Sequence, residues 1–458
     1  MEKFLVVGIT SIYGGKMKIK RRQFLKLSLT QSALTLLTSR RTFAHTEPEE
    51  DNFRFIQRDN PSILQGATGE TSTQFSVVYK NGVELKAVAE DDKGQLHEAY
   101  DAAVSVFNEQ LPAIHKFYFK KLDPESTYFL KIIDKNNDDL LDEREFQTLN
   151  LNKGSLRFAF GSCMEDTRHD PEIWKDLEAQ KPDVMFFIGD SVYADRDGFG
   201  QFSMADPERL WERFSRARAT LEFFFIKRLI PCIATWDDHD FGYNDADSTE
   251  YPFVSESQKN FLNFYAQDNS DLKNFVKGPG VSSAYYIGSH VFILMDNRSF
   301  RKKRGSKERY AHWGKEQELW MTNIVNQHEG ASWIMNGSQM FPSMPFKESF
   351  SRDHKENFNA LINELKESTS KLLFCSGDVH FSEVTQIDSS IFGYKTYELT
   401  SSSIHSRGTP PWLVPNLNRI KSAGKRNYLL VETELKGNTD LRVSSRSSED
   451  EINFEIFL

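Results

Sequence analysis

The chain contains few cysteines, and this excludes one class of small secreted fold. Its 458 residues include three, Cys163, Cys232 and Cys375. Three thiols are too few for a disulfide framework, and an odd number leaves at least one of them unpaired or bound to another group. The length and a hydrophobic content of 39% instead predict a folded protein of two domains with sizeable cores.

Positive charge is scarce over most of the chain. The first 44 residues hold nine of the 57 Lys+Arg and one of the 66 Asp+Glu, so the remainder has 48 basic and 65 acidic residues and a formal charge of −17. Such a surface argues against non-specific nucleic-acid binding, and we expect no specific nucleic-acid partner. If the substrate is a phosphate ester, local cations must bind it.

The first 44 residues lack an apolar run that is long enough to span a bilayer, although they follow the plan of a signal peptide. A basic segment, 18–26, precedes a mildly apolar one, 27–37, which Thr and Ser interrupt. Arg21-Arg22 followed by Gln-Phe-Leu-Lys resembles a twin-arginine signal. The alternative is a basic amphipathic helix.

We therefore expect residues 1–44 to be removed and the folded protein to pass through the twin-arginine machinery to the periplasm or the cell exterior. The residues before Met17 are predicted to come from a translation start upstream of the signal peptide, at Met1, and not to belong to the signal itself. No cysteine follows the apolar segment, so we predict neither a lipoprotein anchor nor another stable membrane anchor.

Residues 50–150 have the alternating pattern of β-strands and are predicted to form one domain. Stretches 74–80 and 83–89 alternate, and Asn81-Gly82 between them predicts a β-hairpin. Stretches 114–120 and 128–133 add two strands, and this spacing favours a sandwich. Leu122-Asp-Pro-Glu-Ser-Thr-Tyr128 resembles the tyrosine corner of fibronectin-type domains, so we expect a fibronectin-like β-sandwich.

The acidic stretch 134–145 has oxygen-bearing side chains at several positions of a calcium-binding EF-hand loop. Asp139 stands where that loop needs glycine, and a strand rather than a helix precedes it. We therefore predict an acidic hairpin tip, with a calcium-binding loop as the alternative.

Residues 155–458 alternate between strand-like and helical patterns, which argues for βαβ units and a layered sheet. The strand-like runs are 156–160, 184–188, 230–235, 291–295, 333–335 and 372–375, and the helical patterns are 171–179, 206–219, 316–326 and 357–366. Strands near the C-terminus, such as 428–432, are predicted to belong to a second sheet.

Four of these strands end in side chains that bind metals. The sequences that follow them are Gly161-Ser162-Cys163, Gly189-Asp190-Ser191-Val192-Tyr193, Trp236-Asp237-Asp238-His239-Asp240 and Gly377-Asp378-Val379-His380. Each motif alone is common in structural turns. Because the carboxyl ends of such strands meet at one edge of a sheet, the four together predict a metal site.

This order of motifs resembles the calcineurin-like metallophosphatase superfamily. With Asp296-Asn297-Arg298 as a fifth motif, it is more closely similar to the PhoD-like alkaline phosphatase and phosphodiesterase family. The resemblance implies a mixed α+β and α/β architecture, in which the β-sandwich precedes a four-layer α/β/β/α metallophosphatase domain over 155–458. It also implies an exported phosphoester hydrolase that acts on monoesters or diesters, with a hydroxide activated by two metals for in-line attack on phosphorus.

The resemblance further implies six metal ligands. Asp190 stands at the bridging position, and Cys163 and Tyr193 would bind the first metal. Both side chains must lose a proton to bind, as thiolate and phenolate, which favours a highly charged ion, so ferric iron is implied there. Asp238 is implied as a ligand of a second, divalent cation, and Asp378 with His380 matches the family's late ligand pair. An aspartate in place of the superfamily's first histidine suits a hard cation such as calcium.

Three further residues are expected to act on the substrate. His239 would donate a proton to the leaving oxygen or hold the phosphoryl group, and Asp240 is expected to orient it. Arg298 offers a fork for phosphate oxygens, although pairing with Asp296 or another carboxylate is an equal alternative. The residues Asp237, Asn244 and Asp245 are close enough in sequence to contribute, without a ranking among them.

Other functions stay open at the level of sequence. A phospholipase-like phosphodiesterase acting on lipid head groups would be favoured by an exposed aromatic surface near the pocket. A purple-acid-type phosphatase shares the Gly-Asp-x-x-Tyr motif but not Cys163 or Gly-Asp-Val-His. A catalytically silent binding protein would be favoured by loss of Asp190, His239 or Asp378, and all three are present.

Overall fold

The computed structural model describes residues 58–196, 202–268, 271–342, 347–436, 440–448 and 450–458. The predicted signal peptide, 1–44, lies outside these ranges. All described residues belong to the second of the two units of the chain, Phe55–Leu458. Within the described ranges, every helix is too short or too polar to cross a membrane.

Two four-stranded antiparallel sheets occupy residues 62–147. Their strands are β1 Ser62–Thr68, β2 Ser72–Tyr79, β3 Leu85–Asp91, β4 Leu96–Glu98, β5 Asp101–Ser105, β6 Ala113–Lys120, β7 Thr127–Asp134 and β8 Leu140–Gln147. The strand orders are β1-β2-β6-β5 and β4-β3-β7-β8. Phe75 of the first sheet and Phe146 of the second lie in one buried cluster with ring centroids 5.0 Å apart, so the two sheets pack face to face.

The hairpin predicted at Asn81-Gly82 is wrong. β2 pairs with β1 and β6, whereas β3 pairs with β4 and β7, so the chain passes here from one sheet to the other. Gly82 adopts a φ of +81°, and the Asn81 side chain donates to the carbonyl of Asn108. The turn residues encode a reversal of the chain, but burial of Val77 and Leu85 in the core shared by the two sheets selects the partners of each strand.

The acidic stretch 134–145 forms the tip and second strand of the β7–β8 hairpin, as predicted. The backbone of Asp138 closes the turn on the carbonyl of Asp134, and Asp138 has a φ of +59°. Most side chains of the stretch 134–145 are exposed.

In the described part of the chain after residue 150, fourteen strands form two larger sheets. They are β9 Ser155–Gly161, β10 Val184–Ile188, β11 Cys232–Thr235, β12 Phe275–Lys277, β13 Ser283–Ile287, β14 His290–Leu294, β15 Ala331–Met335, β16 Lys371–Ser376, β17 Ser382–Ile387, β18 Thr396–Thr400, β19 Arg419–Ala423, β20 Tyr428–Glu434, β21 Arg442–Arg446 and β22 Ile452–Phe457. The strand orders are β11-β10-β9-β20-β21-β22 and β12-β13-β14-β15-β16-β18-β17-β19. The predicted mixed α/β fold is thus confirmed.

The two larger sheets share one core. The ring of Phe158 on β9 lies 4.9 Å, centroid to centroid, from those of Phe292 on β14 and Trp333 on β15. β10 is buried on both faces, with Phe186 in this shared core and Phe187 in a second cluster formed with the helices. Two buried faces explain why β10 has no polar alternation.

The prediction that 428–432 belongs to a second sheet is wrong. β20 runs antiparallel to β9 and lies in the same sheet as β10. The second sheet is built instead from strands between Phe275 and Ala423. An apolar pattern predicts a strand but not its neighbour, since pairing is decided by contacts between distant segments.

The four helices that the sequence predicted begin and end within two residues of their predicted positions, and the described residues form eight α-helices in all. They are α1 Pro171–Gln180, α2 Pro207–Thr220, α3 Asp238–Phe241, α4 Val254–Phe264, α5 Lys315–Gln327, α6 Phe350–Asp353, α7 Lys355–Leu365 and α8 Ser389–Phe392. Asp206 caps α2 by accepting from the amide of Arg209. The cluster that contains Trp174 and Leu210 packs α1 and α2 on β10, and a separate cluster with Met321 and Leu361 packs α5 and α7 on the other sheet.

Candidate metal centre

The ends of four strands meet at one place. β9, β10 and β11 are parallel neighbours, so the loops that follow them leave from the same edge. The amides of Cys163 and Met164 donate to the carbonyls of Gly189 and Asp190, which joins the first two loops. The loop after β16 in the other sheet arrives at the same point, since the amide of Gly377 donates to the carbonyl of Gly337 beside it.

Two glycines allow this approach. A Cβ on Gly189 would lie 2.7 Å from the Cβ of Asp237, and a Cβ on Gly377 would lie 2.5 Å from the Oγ of Ser162. Both distances are shorter than van der Waals contact, so only glycine fits where the strand ends touch.

The potential ligand atoms form two clusters that share one residue. In the first, one ligand atom each from Cys163, Asp190 and His380 lie within 4.8 Å of one another, and the same limit holds for Asp190, Asp238 and His239 in the second. The Sγ of Cys163 is 3.4 Å from Oδ2 of Asp190. Tyr193 adjoins the first cluster, with its Oη 3.5 Å from Nε2 of His380.

Four of the predicted ligands have left-handed backbone conformations. Their φ angles are +58° at Cys163, +52° at Asp190, +67° at Asp378 and +62° at His380. Such a conformation costs a non-glycine residue about 1 kcal/mol or more and is concentrated at functional sites. The strain points these side chains away from the strands that carry them and into a common space.

Three carboxylates of the site, those of Asp190, Asp237 and Asp378, are held in an environment that opposes negative charge. Burial, with the neighbouring Cys163 and Asp238, raises the pKa of Asp190 well above its ordinary value. Burial likewise raises the pKa of Asp378 to about 7 despite the nearby ammonium of Lys347, and that of Asp237 to about 6. A nearby cation would remove this penalty.

The donor set fits metal cations. Among the residues that the structure describes, Oδ1 of Asp190, Oδ2 of Asp237 and Oδ2 of Asp378 are buried without a hydrogen-bond partner. Buried polar atoms are normally paired, so three unpaired carboxylate oxygens around one space need an explanation. Together with a thiol, a phenol and imidazoles, they form the oxygen, sulfur and nitrogen set that metals bind.

A cavity of about 510 Å³ opens beside these ligands. It is lined by Glu165, Arg168, Asp190, Tyr193, Arg196, Phe202, Asp238, His239, Asn244, Asp245, Arg304, Lys347, Glu348, Asp378, His380 and Arg407. Six of the nine predicted site residues are in this lining. Cys163 lies beneath it, fully buried and in contact with Asp190.

His239 is oriented by a residue other than the predicted one. Its Nδ1 lies 2.8 Å from Oδ1 of Asp195. Asp240 instead accepts from the hydroxyl of Ser191 and the amide of Val192, so it ties the loop after β10 to α3. A carboxylate at the next position of a helix points away from its neighbour, which is why the expected contact does not form. Asp195 follows the Gly189–Tyr193 motif by two residues, and this nearness was the available signal.

Arg298 is not part of the cavity lining, and its side chain pairs with Asp237 and Glu348 rather than with Asp296 or a surface carboxylate. The side chain is 1% exposed. Its Nε donates to Asp237 over 2.6 Å, and a terminal nitrogen donates to Glu348 over 2.5 Å. The amide of Arg298 donates to Asp296, which caps the loop. Arg298 therefore positions two carboxylates at the edge of the site.

Two aromatic rings enclose His239. The centroid of the Tyr193 ring is 4.2 Å from that of the imidazole, and the Phe202 ring is stacked at 5.1 Å. Burial would lower the pKa of His239, but the charges of Asp238 and Asp195 outweigh it and raise this pKa to about 9. The imidazole is thus fixed in place, and these two carboxylates favour its protonated form.

Among the described residues, the cavity wall carries five cations, of which only Arg304, in the basic run 301–304, could be expected from the sequence. They are Arg168, Arg196, Arg304, Lys347 and Arg407. Lys347 lies 3.8 Å from Asp378, whose charge raises the pKa of the ammonium group. These residues come from separate loops with no shared motif, so no sequence signal could have grouped them.

Fold and site together define a layered α/β protein with a candidate metal centre at converging strand ends. The chain belongs to the PhoD-like phosphatase family, whose model matches residues 158–451. The resemblance inferred from the motifs is therefore confirmed.

Two relatives describe how far the similarity reaches. Alkaline phosphatase D of Bacillus subtilis (strain 168) is 22% identical over 328 residues, which cover 62% of this chain and 55% of that protein. The chain thus spans about half the length of this curated relative. A solved structure titled "Structure of PhoD" has a TM-score of 0.65 at 18% identity and covers 88% of this chain and 90% of its own. At that identity the likeness shows a common fold.

Proposed function

We propose that this protein is a metal-dependent phosphoester hydrolase, an alkaline phosphatase D-like enzyme acting on phosphomonoesters or phosphodiesters. The observation that carries the proposal is Asp190, which belongs to both clusters of ligand atoms at the floor of a cavity whose wall is rich in cations. Membership of the PhoD-like phosphatase family and the name of the curated relative support the reaction class.

The proposed ligands divide into two sets around Asp190. Cys163, Tyr193 and His380 would hold the first cation, for which we propose ferric iron, because a thiolate and a phenolate favour a highly charged ion. Asp238 and Asp378 would hold a divalent cation, for which we propose calcium, since hard oxygen donors suit it. Two bound cations supply acidification of a water molecule and neutralisation of phosphoryl charge.

His239 is the proposed proton donor to the leaving oxygen. His239 lines the cavity, and its Nδ1 donates to Oδ1 of Asp195 over 2.8 Å. The rings of Tyr193 and Phe202 enclose the imidazole. A fixed, protonated imidazole that lines the site can act as a general acid. Asp195 is then a positioning residue.

The cavity cations are the proposed holders of the free phosphoryl oxygens. Arg407 and Lys347 line the same space as His239 and Asp238. They take the role that was predicted for Arg298, which is occupied with Asp237 and Glu348. Local cations of this kind let an acidic protein bind an anionic substrate.

Elemental analysis of purified protein beside hydrolysis of an aryl phosphomonoester and an aryl phosphodiester tests this function. We expect iron and a divalent cation in the wild type, and loss of metal and of most turnover in Cys163→Ala and Asp190→Asn. Cys232→Ala is the matched control, because Cys232 is also fully buried but packs in a hydrophobic cluster. Unchanged metal content in both site variants would refute the ligand assignment.

A phosphodiesterase acting on lipid head groups is a second candidate. It is favoured by the exposed side chains of Trp412 and Leu413, which follow Arg407 of the cavity wall by a few residues. Release of the head group from phosphatidylcholine distinguishes it from an enzyme of soluble esters only.

We also propose the finer organisation that the sequence suggested. Residues 1–44 serve as a twin-arginine signal that directs the protein to the periplasm or the cell exterior, 50–150 form a fibronectin-like sandwich, and 155–458 form a four-layer α/β/β/α catalytic domain. The tyrosine-corner bond from the amide of Asp123 to Oη of Tyr128 supports the sandwich. N-terminal sequencing of the exported protein tests the cleavage near Ala44.

A further inference from the structure

A loop beside the cavity exposes large apolar side chains. This apolar loop, residues 410–420, reads Pro-Pro-Trp-Leu-Val-Pro-Asn-Leu-Asn-Arg-Ile. Trp412 is 78% exposed, Leu413 58% and Leu417 102%, and Ile420 is exposed as well. Single exposed apolar residues are ordinary, but four within nine positions mark an interaction surface.

The apolar loop is held with its polar groups inward. Arg419 donates to the carbonyls of Pro411 over 2.8 Å and Val414 over 2.7 Å, and also to the buried carboxylate of Glu383. The side-chain amide of Asn416 donates to Glu383 over 3.2 Å and to Thr385 over 2.8 Å. A loop that only faced water would show the opposite arrangement, with its polar groups outward. The apolar side chains are therefore held outward by the internal bonds of the loop.

The apolar loop is also fixed to the candidate metal centre. The amide of Thr409, directly before the loop, donates to the carbonyl of His380 over 2.7 Å. Val414 packs on Val379 and Phe381, the neighbours of His380. Whatever surface the loop contacts is therefore brought close to the mouth of the cavity.

The segment of chain that contains the apolar loop is basic, and two of its cations, Arg419 and Lys425, are paired with Glu383 and Glu451. Residues 405–426 contain five Lys and Arg and no Asp or Glu. Among them, Arg407 and Lys421 are exposed. The chain after residue 44 has 48 basic and 65 acidic residues, so this positive segment stands out on an acidic body.

We propose that the apolar loop docks the protein on an anionic lipid surface. Trp and Leu side chains enter the boundary between head groups and acyl chains, while neighbouring Lys and Arg bind anionic head groups. A protein partner would need to match both features by chance, whereas an anionic bilayer presents both everywhere. The docking is independent of the proposed reaction, and it brings the cavity to esters at a membrane.

Co-sedimentation of the full chain with vesicles tests the docking. We expect binding to phosphatidylglycerol vesicles, weaker binding to phosphatidylcholine vesicles, and a loss of affinity of roughly tenfold or more in Trp412→Ser/Leu413→Ser, because two large apolar side chains no longer leave water. Leu96→Ser is the matched control, since Leu96 is 59% exposed on a strand of the N-terminal sheets. It should bind as the wild type does.

Several results would overturn the proposal. Either no binding of the wild type to vesicles or its equal binding to both kinds of vesicle would contradict docking on an anionic surface. Equal binding by the double variant and Leu96→Ser would place the membrane contact elsewhere in the chain. A self-association in analytical ultracentrifugation that the double variant abolishes would assign the loop to a second copy instead. Turnover of a soluble aryl phosphoester, which the double variant should retain, reports on the reaction separately.

Discussion

His239 is oriented by a carboxylate that lies 44 residues before it in the chain. Asp195 is completely buried and its second oxygen accepts from the amide of Asn244, so the carboxylate is fixed at both ends. Asp240, next to His239 in sequence, has a structural role between two loops. At the scale of single residues, adjacency in the sequence did not predict contact.

Asp195→Asn should lower kcat for an aryl phosphoester by roughly 100-fold, the contribution expected of one proton-transfer group. An amide can still accept a hydrogen bond from Nδ1 but no longer stabilises the imidazolium, so the pKa of His239 falls. The limb of the kcat–pH profile that reports the acid should therefore move to lower pH. The profile from about pH 5 to 10 measures both effects.

Asp240→Asn is the matched comparison for this prediction. It removes a buried carboxylate of the same size that lies next to His239 in sequence, so it should lower the free energy of unfolding without shifting the acid limb. A displaced limb in Asp240→Asn, or an unchanged one in Asp195→Asn, would contradict the roles assigned here.

At the scale of elements, the site depends on how closely the strand ends approach. The loops after β9, β10 and β16 carry Cys163, Asp190 and Asp378, and glycine at positions 189 and 377 removes the side chains that would keep them apart. The site is therefore a property of the contact between two sheets. Neither sheet holds the complete ligand set.

Gly377→Ala should damage both stability and metal content. Its Cβ would lie 2.5 Å from Oγ of Ser162 and 2.8 Å from the carbonyl oxygen of Gly337, so the loops after β9 and β16 must separate. Overpacking of this kind lowers the free energy of unfolding by about 1–3 kcal/mol. The movement of Ser162 also displaces its neighbour Cys163, so metal content should fall. Urea unfolding and elemental analysis measure the two effects.

Gly154→Ala provides the control for that substitution. A Cβ at this position meets no atom within 4 Å, so both stability and metal content should match the wild type. Should Gly377→Ala behave in the same way, the close approach of the strand ends would be irrelevant to the site.

At the scale of the whole molecule, buried histidines are distributed over both halves of the chain. Burial lowers the pKa of His115 and of His169 to about 4, and it also lowers the pKa of His290 and His354. In the unfolded chain these groups titrate near pH 6.5. Between about pH 6.5 and 4 the unfolded state therefore binds more protons, and these histidines lower the free energy of unfolding as the pH falls.

His115→Phe should make unfolding less sensitive to acid. His115 stacks on Phe117, and its Nε2 is buried without a partner in the described structure, so an aromatic ring loses no hydrogen bond there. Between pH 7 and 5 the wild type should lose up to about 2 kcal/mol more than the variant. Urea unfolding at both pH values measures the difference, and parallel losses in the two proteins would show that His115 does not titrate as stated.

The sequence by itself predicted about half of the strands, four of the helices and a set of candidate ligands. β10 and α2 were predicted within a residue or two because apolar runs, capping residues and proline act locally. The order of the strand-end motifs was sufficient to place the chain in its family, since that order is a property of the chain alone. Cys163, Asp190 and Tyr193 were named as candidate ligands in this way before any contact was known.

The tertiary structure alone decided which groups meet. β2 and β3 lie in different sheets, and β20 pairs with β9. His239 contacts Asp195, Arg298 pairs with buried carboxylates, and the cations of the cavity wall come from separate loops. The physical reason is common to all of these: pairing and burial depend on contacts between segments far apart in the chain, and local periodicity carries no information about them.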